Sequence, residues 1–273
     1  MTGFGERDGA ARAGVRWSLI VPVKHLDRAK SRLARAAGPF RGDLALAVAC
    51  DTVAAALACP EVSSVFAVTD DDRARDELAA LGAVVVGGEP GTGLNPALRH
   101  GAAVARRRLP GSGVCALSAD LPALRPDELG RVLTAAAGQR RSFLPDAPGV
   151  GTTALASAPG APFLPAFEGA SRARHLASGA RELVVADVDS VRRDVDTPED
   201  LRAAVRLGVG ARTRELLERM GDRTPTAGVH PGPGGLAPAV DTAPEQRSAR
   251  APVRDPGGAH PSPFGGGTTS SRR

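Results

Sequence analysis

WSLIVPVKHLDRAKSRLA, residues 17–34, passes at Pro22 from an apolar run to a row of cations. Trp17 to Val23 is rich in β-branched residues and short enough for a buried strand, and Pro22 cannot donate to a central ladder, so the strand ends there. The segment after it carries Lys24, Arg28, Lys30, Ser31 and Arg32. The same alternation of short apolar runs with longer stretches of helical period continues along the chain, and it predicts an α/β domain with a mixed, mostly parallel sheet. Further strands are expected over 64–69, 83–86, 114–118, 152–156 and 181–186, with helices over 42–58, 71–81, 96–108 and 126–136. A last helix should start at Pro198 with Thr197 as its N-cap. In open α/β sheets ligands collect at the carboxyl ends of strands, so the cations after the first strand sit where an anion such as a triphosphate would bind. Taken alone they read equally well as a solvated charged loop. No GxxxxGK[ST] follows the strand, which excludes a P-loop.

Composition narrows the classes. Hydrophobic residues make up 42% of the 273 residues and aromatics only 3%, with no Tyr, so the core must be built from Ala, Val and Leu. The net charge of +5 is not gathered into one basic stretch, and residues 222–273 hold six Arg against four acids, which argues against a nucleic-acid binder. Cys50, Cys59 and Cys115 lack CxxC spacing and neighbouring His, and they read as reduced core residues. The segment MTGFGERDGAARAGVR has no apolar core of a signal peptide, and no run of eighteen apolar residues comes after it, so no membrane partner and a cytoplasmic location are expected. Beyond Gly221, Pro and Gly supply eighteen of the last 52 residues, too polar and too interrupted to bury a core. The expected organisation is therefore a flexible N-terminus over 1–15, one domain over 16–221, and a disordered tail over 222–273.

Three further stretches carry chemistry. In VCALSADLPAL an apolar strand delivers Asp120 to its carboxyl end, a good position to hold Mg2+ against phosphate oxygens. RRDVDTPEDL offers Asp194 and Asp196 in alternation, so that one of them can face the same ion. GGEPGTGLNPAL opens a helix with Gly93, whose backbone a flat base or sugar can approach closely, and with Asn95, whose amide offers both a donor and an acceptor. GVGTTAL and FEGASRARH add Thr152, Thr153, Ser171, Arg172, Arg174 and His175, hydroxyls and cations suited to a small phosphate or carboxylate.

In this order and spacing, VPVKHLDRAKSRLA, SADLPAL, GVGTTAL and DVDTPEDL resemble the guanylyltransferases of deazaflavin coenzyme F-420 biosynthesis, which join GMP to phosphoenolpyruvate or 2-phospholactate. The resemblance spans about residues 17–207. It implies a Rossmann-like fold of the nucleotide-diphospho-sugar transferase type, GTP and phosphoenolpyruvate as substrates, Mg2+ dependence, and release of pyrophosphate. By motif it places Lys24, Lys30 and Arg32 on the triphosphate, with Ser31, Gly93 and Asn95 also on the nucleotide. Asp120 and Asp196 fall to the metal, and Thr153, Glu168 and Ser171 to phosphoenolpyruvate. At position 168 the family commonly has Gly, and a carboxylate there should repel an anionic acceptor unless it turns away or pairs with Arg172 or Arg174. The Ala, Arg and Gly bias of a high-GC genome favours phosphoenolpyruvate over 2-phospholactate. Other acceptors such as a molybdopterin, or a nucleotide-sensing scaffold without catalysis, are the alternative readings. A homodimer is compatible with the sequence, which does not determine an oligomeric state.

Overall fold

The structure, a computed structural model, describes residues 14–28, 30–33, 37–88 and 91–222. All of these lie in one unit, Met1–Thr226. The expected flexible segment 1–15, apart from residues 14 and 15, and the expected tail beyond residue 222 lie outside the described residues.

Seven strands form one sheet: β1 (Trp17–Pro22), β2 (Val62–Val68), β3 (Val84–Val86), β4 (Gly113–Leu117), β5 (Arg141–Pro145), β6 (Thr152–Ser157) and β7 (Arg181–Glu182). Their order is β3-β2-β1-β4-β6-β5-β7. Strand β1 pairs in parallel with β2 on one side and β4 on the other, with Ile20 opposite both Phe66 and Ala116. Strand β6 runs antiparallel to both its neighbours, β4 and β5. The chain therefore builds outward from β1 in both directions, and the crevice between the carboxyl ends of β1 and β4 is the switch point at which ligands bind in such sheets. Because β6 is reversed, its first residues lie at that same edge, beside the end of β5.

The helices are α1 (Arg41–Leu57), α2 (Asp72–Ala80), α3 (Leu94–Arg108), α4 (Pro126–Ala137), α5 (Ser171–Ala177), α6 (Asp189–Arg192), α7 (Pro198–Leu207) and α8 (Ala211–Asp222). One core joins Leu46, Cys50 and Val53 of α1 with Leu129 and Leu133 of α4 and the strand residues Leu19, Val21 and Leu117. The opposite face packs Leu98 and Ala102 of α3 against Ile20, Phe66, Phe143 and Leu155. Helix α3 comes close because residue 101 is Gly: a Cβ there would stand 2.5 Å from Val68 and 2.7 Å from Ile20. The three cysteines are free and buried, and burial pushes their thiols up, Cys50 to about 11 and Cys59 and Cys115 to about 12.

Two strands depart from the sequence expectation. Strand β5 is short, opens on Arg141 and Ser142 and ends on Pro145, which leaves only Phe143 and Leu144 as strand-forming residues. It forms because β6 and β7 pair with its two sides. Strand β7 stops at Glu182 rather than Ala186, for it meets its neighbour only over Ser142–Phe143. Helix α8 lies within the expected domain but carries no helix signal of its own in the sequence reading. The Asp51 carboxylate of α1 accepts hydrogen bonds from the Arg212 and Thr213 amides at 3.2 and 2.8 Å and caps it, while Leu216 packs with Leu44, Val48 and Val195 in a third cluster. Thr197 caps α7 as expected, with a reciprocal bond from its own backbone to the Asp200 carboxylate.

Candidate active site

A cavity of about 360 Å³ opens at the switch point. Its walls come from the end of β1 (Pro22 to Lys24), Lys30, the end of β4 (Ala116 to Asp120), Asp146, Gly151, Thr152, the 167–171 turn, Asp194 and Asp196. Ala45 and Ala49 of α1 and Leu94 and Leu98 of α3, from the two faces of the sheet, add its apolar lining.

On one side stand the cations and carboxylates. Lys24 is exposed at the rim. The loop behind it is anchored by Asp71, whose carboxylate accepts from the Leu26 amide at 3.0 Å while it caps α2 through Ala74. Burial raises the Asp71 pKa, but the amides of Ala74 and Leu26 outweigh this and hold it below the usual carboxylate range. Lys30 has a left-handed backbone, φ 54°, which costs a side-chain-bearing residue about 1 kcal/mol. This turn carries its ammonium to the cavity wall, where it donates to Asp120 Oδ2 at 2.7 Å and to the Val195 carbonyl and lies 3.8 Å from Asp196 Oδ1. Lys30 is 9% exposed and Asp196 56%, so the pair with Asp120 is the inner contact and Asp196 the outer one. Asp194 belongs to the same group: burial, then the charges of Asp120, Asp196 and Asp146, push its carboxyl up to about 7. Arg32 is exposed and outside the cavity walls. Ser31 opens a short 3-10 turn, and the side chains of Ser31 and Arg28 lie outside the described part.

Thr52 of α1 positions Asp120. Its buried hydroxyl accepts from the Leu121 amide at 3.0 Å, donates to the Val48 carbonyl one turn back at 2.8 Å and lies 3.2 Å from the Ala119 carbonyl, touching the backbone on both sides of Asp120. The Val195 amide donates to the Asp120 carbonyl at 3.1 Å, so the 194–196 segment is stitched to the end of β4.

The opposite wall is built by β5, β6 and the 167–171 turn. The Asp146 carboxylate accepts from the Val150 and Gly151 amides at 2.8 and 2.7 Å, and its oxygen occupies the place a Cβ on residue 151 would need. Thr152 lines the cavity, whereas Thr153 does not, and the buried Thr153 hydroxyl has no hydrogen-bond partner among the described residues. Glu168, Gly169 and Ser171 line the cavity. Glu168 is left-handed, φ 82°, and its exposed carboxylate pairs with neither Arg172 nor Arg174. Arg172 is bound to Glu182 at 2.9 Å and Arg174 donates to the Phe167 carbonyl at 3.3 Å. His175 is fully buried: Nε2 accepts from the Ala166 amide at 3.0 Å, so the proton of the neutral ring sits on Nδ1 and is donated to the Thr152 hydroxyl at 2.9 Å. Burial, with the charges of Arg141 and Arg174, pushes its pKa down to about 4. Gly93 is exposed at the start of α3, and both ends of the Asn95 amide are bonded to the Phe167 backbone.

Lys24, Lys30, Asp120, Asp196, Glu168 and Ser171 thus share one cavity, while Arg32, Gly93, Asn95 and Thr153 are not among its walls. Asp146 and Thr52 are site residues that the sequence reading misses. Asp146 comes after the apolar run SFLP as Asp120 comes after VCAL, a usable signal; nothing local marks Thr52 among the small residues of α1.

The sequence profile of the MobA-like NTP transferase domain matches residues 31–184. The phosphoenolpyruvate guanylyltransferase of Thermomonospora curvata is 63% identical over 215 residues, covering 79% of this chain and 94% of that protein. The chain belongs to the phosphoenolpyruvate guanylyltransferase family. A second member of that family, from Streptomyces coelicolor, is 62% identical over 207 residues, 76% of this chain and 98% of its own. A solved structure from Desulfovibrio desulfuricans G20, provisionally named a nucleotide-diphospho-sugar transferase, superposes with a TM-score of 0.57 at 16% identity, covering 76% of this chain and 95% of that one. That likeness extends to the fold alone, and it matches the family's Rossmann-like sheet. No helix among the described residues is long and apolar enough to cross a membrane.

Proposed function

We propose that this chain transfers GMP from GTP to phosphoenolpyruvate, releasing pyrophosphate and forming enolpyruvyl-diphosphoguanosine for deazaflavin coenzyme synthesis, in the cytosol. The observation that carries this reading is the two-sided cavity: cations and carboxylates from β1, β4 and the 194–196 segment face a turn of hydroxyl and backbone groups at 151–152 and 168–171. Two anionic substrates can lie end to end across it.

A phosphate oxygen of the acceptor attacks the α-phosphorus of GTP, a new P–O bond forms, and the bond from that phosphorus to the oxygen bridging to the β-phosphate breaks. That oxygen leaves with pyrophosphate. The acceptor phosphate is already an anion at neutral pH, so no side chain has to remove a proton. Lys24, exposed at the rim, draws the triphosphate in, and Lys30 holds Asp120 while adding positive charge beneath the reacting phosphates. Asp120 and Asp196, with Asp194 beside them, are the residues that would hold Mg2+. The donor set fits: the carboxylates of Asp120, Asp194 and Asp196, all hard oxygen donors, line the same end of one cavity. Among the described residues no three such side chains cage an ion unaided, but Mg2+ on a triphosphate needs only one or two carboxylates. When bound it neutralises phosphate charge and fixes the geometry of attack. Ser171, Thr152 and the backbone at 168–169 face the acceptor, beside the exposed Glu168.

The test is pyrophosphate release on mixing the protein with GTP, Mg2+ and phosphoenolpyruvate, beside parallel mixtures with 2-phospholactate or with CTP. Release with GTP and phosphoenolpyruvate, much weaker in the other mixtures, is expected. No release with that pair overturns the proposal.

A further inference from the structure

Asn95 has the place of a nucleotide-binding residue, after a glycine-rich loop, yet its amide is committed elsewhere. Oδ1 accepts from the Phe167 amide at 2.8 Å and Nδ2 donates to the Phe167 carbonyl at 3.1 Å. The two bonds together settle which end of the amide is which, since a flipped group would set donor against donor and acceptor against acceptor. One residue earlier the Ala166 amide donates to His175 Nε2 at 3.0 Å. Two consecutive backbone amides are therefore held by side chains of two different helices, α3 and α5. The Phe167 ring packs edge-on against His175, with centroids 5.1 Å apart.

Immediately beyond this double latch the chain forms the part of the wall that faces the cavity. Glu168 and Gly169 are both left-handed, φ 82° and 51°, and the Ser171 amide turns back onto the Gly169 carbonyl at 2.8 Å. A left-handed residue with a side chain persists only where its surroundings over-determine it. Here the surroundings are His175 on the Ala166 amide, Asn95 on both backbone groups of Phe167, and Arg174, which shares the Phe167 carbonyl at 3.3 Å. Among the described residues the amides of Glu168 and Gly169 have no partner, so their donors remain available along the cavity wall.

We propose that Asn95 is a positioning residue for the acceptor side of the cavity: it pins Phe167 so that the Glu168–Gly169 backbone is presented ready-made to the acceptor, and it does not contact the nucleotide. This rests on the two-substrate reading above. With Asn95 truncated, the Phe167 amide loses its partner and its carbonyl keeps only the 3.3 Å bond from Arg174, residues 168–169 relax towards right-handed conformations, and the acceptor must reorganise the turn at its own expense.

The experiment is steady-state kinetics of Asn95→Ala with each substrate varied in turn, together with GTP binding measured by calorimetry without acceptor. The KM for phosphoenolpyruvate should rise about tenfold or more, the scale of one or two lost hydrogen bonds, while GTP affinity stays within about twofold. A weakening of GTP binding equal to or larger than the change in acceptor KM overturns the proposal, and so does no change in either. Should Asn95→Ala fail to fold, Asn95→Asp, which keeps the acceptor for the Phe167 amide, is judged by the same two outcomes. The unmodified protein is the control on the reaction itself: if it releases no pyrophosphate from GTP and phosphoenolpyruvate, the proposed function fails whatever the variants bind.

Discussion

Asp120 is useful only if its carboxylate stays where β4 leaves it, and that depends on Thr52, a side chain that never reaches the cavity. One buried hydroxyl serves the residues on both sides of Asp120, bonding the Leu121 amide and lying against the Ala119 carbonyl. Thr52→Val keeps the shape and removes the bond. It should destabilise the fold by about 1–3 kcal/mol, the cost of leaving a buried amide without a partner, as read from urea unfolding. Turnover should fall as well, because a displaced Asp120 no longer meets Lys30. A variant with unchanged stability and turnover would show that Asp120 is held by Lys30 and the Val195 amide alone. Lys30 is itself held from two sides: its left-handed backbone places the ammonium between the Asp120 carboxylate and the Val195 carbonyl, so it orders the carboxylates at the end of β4.

At the scale of elements, α8 shows how a segment outside the sheet braces the site from behind. Its N-terminus is capped from α1 by Asp51, Arg212 reaches Glu77 of α2, and Leu216 shares a cluster with Val195, whose carbonyl receives Lys30. A Cβ on residue 210 would run into the Asp51 carboxylate, so Gly210 leaves that carboxylate in its capping position. Asp51→Ala should cost about 1–2 kcal/mol, the usual worth of a helix cap, measured as a lower urea midpoint. KM for both substrates should be retained, since Asp51 lies outside the cavity. If stability does not change, α8 is held by its apolar face and not by its cap.

For the whole molecule, the buried His175 makes stability depend on pH. Folding lowers its pKa from 6.5 to about 4, so between those values the unfolded chain takes up a proton that the folded chain refuses. The stability is fully present above about pH 6.5, declines as the pH falls, and is lost by about pH 4, some 3 kcal/mol in all. Asp194, pushed up to about 7, works the other way over the same range, because the folded chain binds a proton there that the unfolded chain does not. The stability advantage of the unmodified protein over His175→Gln, read from urea midpoints between pH 7.5 and 4, should therefore shrink by the His175 amount. An advantage that stays constant from pH 7.5 to 4 would show that His175 does not take part in the pH dependence.

Local pattern alone was enough to place β1, β4 and β6, the four helices before residue 140, the cap at Thr197, and the carboxylates and cations at the strand ends. Apolar period and capping are properties of neighbouring residues, and the rule that ligands meet the carboxyl ends of parallel strands turns strand ends into a site. What the sequence could not contain is which distant groups meet. Strand β5 exists through its partners, α8 through Asp51, and the direction of Lys30 through contacts 90 and 165 residues away. Asn95 has the residue type of a base reader, but the Phe167 backbone, 72 residues on, takes both ends of its amide. A side chain's chemistry is written in its own residue, but the partner that uses that chemistry is chosen only when the chain closes on itself.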